Sequence, residues 1–163
     1  MQTAQLIASL EEHQTGILAN MRRAEAVIAC PEAFDMAQVA RLRWELLRLL
    51  SGYQMFKHRQ IFDVLIHAGS FEQRPVAARM KADCEALGEE VKRFITQRSA
   101  AGAGETVEVY RADVRRFITR LREHLSYERA AAIALLTPVD GVHVAIPPRA
   151  ASSHRPDRPT PIG

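Results

Sequence analysis

His124 and Glu128 stand four residues apart in the segment Arg122-Glu-His-Leu-Ser-Tyr-Glu-Arg129. On a helix, positions i and i+4 lie one above the other, so an imidazole and a carboxylate share one face. That face is apolar: Phe117, Leu121, His124, Glu128 and then Ala131 or Ala132 follow the +4, +3, +4 spacing of a buried stripe. Two polar groups on such a stripe cost free energy unless something satisfies them, and a metal ion is one such partner.

Three other stripes offer companions. The first runs through Leu6, Leu10, His13, Ile17 and Met21, and the second through Leu47, Leu50, Gln54, His58, Ile61 and Leu65. The third runs through Val76, Met80, Cys84, Leu87, Val91 and Phe94. Each carries a non-aliphatic residue near its middle: His13, then Gln54 and His58, then Cys84. In an antiparallel bundle of long helices, rising about 1.5 Å per residue, the middles reach similar height and these side chains meet in one layer. Four-helix bundles build metal sites in this way. Cys84 reads equally as a small buried hydrophobe, and Gln54 as a hydrogen-bonding residue beside a histidine. Tyr53 and Tyr127 are placed to donate to a nearby carboxylate or to pack.

The elements that must position these residues are four long helical patterns. One spans Thr3 to Ala29 and stops at Cys30-Pro31, because the residue before proline is pushed out of the α region. The second follows Asp35, a suitable N-cap, and reaches His67; its length allows a separate short first piece. Ala68-Gly69-Ser70 makes a turn, and Ser70 with Gln73 has capping-box spacing. The third helix ends before the Ser99–Gly104 run, a loop by composition. The fourth begins near Thr106 or Val107 and ends at Leu136, before Thr137-Pro138. Short connections imply an all-α, antiparallel up-down-up-down four-helix bundle over residues 1–137. Residues 138–163 read as a short arm, Val142–Ile146, followed by a disordered Pro/Arg-rich tail.

The 163 residues fit one domain. The net charge of +3 includes Arg149, Arg155 and Arg158 in the tail, so no concentrated basic patch for nucleic acid stands out. The Arg-rich face of the last helix is balanced by Glu108, Asp113 and Glu123. Two widely separated cysteines read as reduced thiols, and neither a signal peptide nor a membrane-length apolar run is present, so a cytoplasmic protein is expected. There is no nucleophile elbow, phosphate loop or dinucleotide fingerprint. Catalysis is therefore not expected, except through a metal.

Over residues 5 to 137 the chain resembles the hemerythrin-like (HHE cation-binding) domains. Leu121–Leu136 looks like that family's closing His-x-x-x-Glu helix, and Glu11-Glu12-His13 is similar to its first ligand segment. Phe56–Asp63 looks like the end of its second helix, and Met80–Leu87 like its third. The chain departs from the pattern where the second helix presents Gln54 and His58 instead of His and Glu, and where Cys84 replaces a histidine. The resemblance implies a metal held by His13, His58, His124 and Glu128, with Cys84 or Gln54 adjoining. It implies non-haem iron, with zinc or manganese also suited to these ligands, and O2, NO or iron sensing or handling. A protein partner or self-association is compatible with it. The alternative is a degenerate bundle without metal, serving as an interaction or regulatory module.

Overall fold

A computed structural model describes residues 2–30, 32, 35–100 and 106–137, and all the regular structure among them is helical. Helix α1 spans Thr3–Ala29 and α2 spans Met36–Lys57. A single π-helical stretch, His58–Phe62, joins α2 to the short α3, Asp63–Ala68, so that 36–68 is one helical rod. Helices α4, Gln73–Ala100, and α5, Val107–Leu136, complete four long rods. No helix is long and apolar enough to cross a membrane among the described residues. The expected arm at Val142–Ile146 and the expected tail lie outside the described residues.

Local chemistry explains where the rods begin. The Asp35 carboxylate accepts from Ala37 N at 2.8 Å, and Thr106 Oγ1 accepts from Val109 N at 3.4 Å. Both satisfy amides that lack a helical partner. The capping box forms as expected: Ser70 N donates to Gln73 Oε1 at 2.9 Å, and Gln73 N donates to Ser70 Oγ at 3.2 Å. At the far end of α1, the Arg111 guanidinium donates to the carbonyls of Ile28 and Ala29. A cation there complements the helix dipole. Helix α4 runs on to Ala100, past the expected stop at Ser99, since no glycine or proline intervenes before residue 102.

The rods pack around one core in which α1 meets α2 and α5, and α4 meets α2 and α5. The third and fourth stripes largely hold: Met80, Cys84 and Val91 are buried, as are Leu121, Glu128, Ala131 and Ala132. The first stripe holds at Leu6, Leu10, Ile17 and Met21, and the second is shifted. Gln14 takes the core position expected of His13. On α2 the buried line is Val39, Leu42, Leu46, Tyr53 and Lys57, one residue earlier than the expected line through Leu47 and Leu50. The π stretch then inserts one residue into the helical phase, which lets the adjacent Ile61 and Phe62 both be fully buried.

Candidate functional site

Helix α5 presents Glu128 to the core one turn beyond His124. Helix α2 presents Tyr53 and Lys57, also one turn apart. Helix α4 contributes Cys84 and α1 contributes Gln14. Glu128 and Lys57 are 3% and 2% exposed, which makes them the buried ionic residues of this core. The Lys57 ammonium donates to Glu128 Oε1 and lies 4.0 Å from the centroid of the Tyr53 ring. Gln14 Nε2 donates to the Tyr53 hydroxyl at 2.8 Å and to Leu125 O at 3.0 Å, tying α1 to α2 and α5.

The electrostatics follow from this pairing. Burial pushes the Glu128 carboxyl up, but the Lys57 charge and the neighbouring His124 outweigh it, and the group lies at about 2. Burial, reinforced by the Glu128 charge, pushes the Tyr53 phenol well above its usual range. Burial likewise raises the Cys84 thiol, against the opposing pull of Lys57. Cys84 is thus a protonated thiol at neutral pH, not a nucleophile poised as thiolate.

A cavity of about 30 Å³ adjoins the pair, with Tyr53, Gln54, Lys57, Cys84, Gly88 and Glu128 in its wall. That is room enough for a water. Gly88 makes room for Gln54: a Cβ at residue 88 would stand 2.9 Å from Gln54 Oε1. Glu128 Oε2 and His124 Nε2 are both buried without a hydrogen-bond partner.

The ligand set expected from the sequence is divided by this arrangement. His124 and Glu128 are neighbours, with His124 Nε2 3.8 Å from Glu128 Oε1, too long for a hydrogen bond, and Cys84 lines the cavity beside Glu128. Gln54 lies on the cavity wall. His13 packs its ring on Phe56 at 5.1 Å and near Tyr53 at 5.9 Å between centroids. His58 opens the π stretch, half-buried, with Nδ1 4.0 Å from Glu85 Oε1 and its ring against Phe62. Burial lowers the His58 pKa, with the Lys81 and Lys57 charges adding to it and Glu85 opposing. Among the described residues no three His, Cys, Asp or Glu side chains group to hold a metal ion.

The groups that sequence reasoning passed over are Lys57 and Gln14. Each was visible as a spacing: Tyr53, Lys57 and Ile61 are four apart, and Leu10, Gln14, Ile17 and Met21 follow +4, +3, +4. A metal at Glu128 does not fit the present arrangement, because a cation already holds the carboxylate. An ammonium has no lone pair to ligate with, and its charge repels an incoming divalent ion.

No family model matches the chain, and neither a curated protein nor a solved structure is significantly similar to it.

Proposed function

We propose that this chain is a hemerythrin-like helical bundle in which the Lys57 ammonium stands where such a bundle would hold a metal. It serves as a metal-independent interaction or regulatory module. The observation that carries the reading is the buried Lys57–Glu128 pair: the carboxylate of the His-x-x-x-Glu helix has a cation of its own, supplied by the chain.

An antiparallel up-down-up-down order fits the cross-helix pairs. Asn20 meets Leu42 while Gln14 meets Tyr53, so α1 and α2 run in opposite directions. Glu11 pairs with Arg129 and Glu25 with Arg122 across α1 and α5. Asp63 pairs with Lys81 while Gln54 lies against Gly88, and Glu90 pairs with Arg120. An interaction role is supported by the solvent side of α2, where Trp44 is 59% and Met55 53% exposed. They lie about three turns apart on one face. A protein partner docking there would bury both.

A second reading keeps a metal. It is favoured by His124 Nε2 and Glu128 Oε2, two buried atoms without partners. A metal there would be held by these two side chains, and the iron, oxygen or nitric oxide chemistry of the resemblance would go with it. Metal analysis of freshly purified protein separates the two. The metal-independent reading expects iron, zinc and manganese well below one per chain, and unchanged melting on adding Fe(II), Zn(II) or Mn(II). Near-stoichiometric metal that disappears in the His124→Ala, Glu128→Ala double variant establishes the second reading.

A further inference from the structure

The solvent side of α2 carries more than Trp44 and Met55. Arg41, Trp44, Arg48, Gly52, Met55 and Arg59 follow +3, +4, +4, +3, +4 spacing and so share one face. That face points directly away from the buried line of Val39, Leu42, Leu46, Tyr53 and Lys57. All six residues are exposed, and the stripe is about 27 Å long at 1.5 Å per residue.

Its positive charge is not answered within the bundle. Residues 36–62 hold Arg41, Arg43, Arg48, Lys57 and Arg59 against a single acid, Glu45. Lys57 is committed to Glu128, and Glu45 is held by Arg23 at 2.7 Å, with Arg48 acting on it only weakly from further away. Arg41, Arg48 and Arg59 form no ion pair among the described residues. On α5, by contrast, Arg116, Arg120, Arg122 and Arg129 each meet a carboxylate.

Gly52, in the middle of the stripe, serves nothing inside the molecule. Glycine is the poorest helix former after proline, and it is tolerated where a backbone or ligand approaches closely. Gly88 has such a reason within the bundle, since it makes room for Gln54. A Cβ at residue 52 would meet nothing within 4 Å.

We propose that this face of α2 docks an acidic amphipathic helix of a partner protein. Such a helix, laid along α2, brings its backbone over Gly52 and its apolar side chains against Trp44 and Met55. Its carboxylates then face Arg41, Arg48 and Arg59. A second copy of this chain does not fit, because α2 against α2 sets arginine against arginine. Three arginines spread over this length offer few phosphate contacts to a nucleic acid. An interfacial membrane helix needs a continuous apolar face, and here arginines and a glycine interrupt it. The proposal names the partner of the interaction reading given above and rests on it.

Trp44 is the only tryptophan of the chain, so its fluorescence reports on this face directly. The probe is a synthetic helical peptide of about 18 residues, which matches the stripe in length, with leucines along one side and glutamates flanking them. The same peptide with lysine for glutamate, and vesicles of phosphatidylserine and phosphatidylcholine, are the controls. A saturable blue shift with the glutamate peptide, weakening as sodium chloride is added, is expected, with none from either control. Arg41→Glu with Arg48→Glu should weaken binding about tenfold or more. Gly52→Leu should weaken it as well without lowering the thermal midpoint, which separates a blocked face from a damaged fold. The proposal is overturned by no shift with the glutamate peptide, by an equal shift with the lysine peptide or the vesicles, or by undiminished binding in these variants. Bound metal in the purified protein would instead overturn the metal-independent reading, and it leaves the Trp44 signal free to answer for itself.

Discussion

Glu128 has little freedom to exist without Lys57. An ionised carboxylate at 3% exposure loses its hydration, and only a facing charge with hydrogen bonds makes that tolerable. Removing one partner should therefore cost far more than removing both. Lys57→Met is expected to destabilise by about 3–5 kcal/mol, whereas Lys57→Met with Glu128→Leu should recover most of that loss. Urea unfolding of the two single variants and the double variant measures the coupling, and additive losses would disprove it. The pair also sets a pH dependence. A carboxyl at about 2 when folded and 4.5 when unfolded contributes stability that is fully present above about pH 4.5. That stability is lost as pH falls from 4.5 towards 2. Glu128→Gln should flatten this part of the acid unfolding profile, and an unchanged profile would place the acid sensitivity elsewhere.

At the scale of the elements, the helices and their ends were legible because single residues write them. Asp35, Thr106 and the Ser70–Gln73 box are local signals, read without knowledge of tertiary contacts, and each forms the bond its type implies. Ser70→Ala should accordingly cost about 1 kcal/mol, seen as a lowered thermal midpoint. Gly69 is a stricter requirement: a Cβ there would stand 2.4 Å from the carbonyl oxygen of Leu65. Gly69→Ala must shift backbone, and its thermal midpoint should fall below that of Ser70→Ala. Facing was less legible than extent. The doublets Leu46-Leu47 and Leu49-Leu50 support two phases of α2 equally, and the phase that the protein uses buries a lysine, Lys57. His13 and Gln14 pose the same choice on α1, since +3 and +4 steps both preserve a stripe. The π stretch at His58–Phe62 has no sequence signature, so a line carried across it in strict α phase goes astray.

At the scale of the whole molecule, the candidate site was half legible. Glu128 has His124 one turn away and shares a cavity wall with Cys84 and Gln54, while His13 and His58 lie against aromatic rings and Glu85. What the sequence could not display is that a residue from α2 completes the charge on α5, because 71 positions separate Lys57 from Glu128. The account makes the bundle a closed ionic unit, with a tethered cation in place of an exchangeable one. Its consequence for the whole chain is that stability should not respond to chelators. A melting curve in excess EDTA should superimpose on that of untreated protein, and a clear drop would mean that a bound cation supports the fold.

The central claim, that Lys57 is the cation of this site, is met most directly by titrating Co(II) into the unaltered protein and into Lys57→Ala, following the visible and near-ultraviolet spectra. The account predicts no bound Co(II) signal in the unaltered protein. In Lys57→Ala, where the ammonium no longer competes for Glu128, bands of Co(II) bound at Glu128 and His124 should appear. Stoichiometric Co(II) binding by the unaltered protein, undiminished by the presence of Lys57, would contradict it.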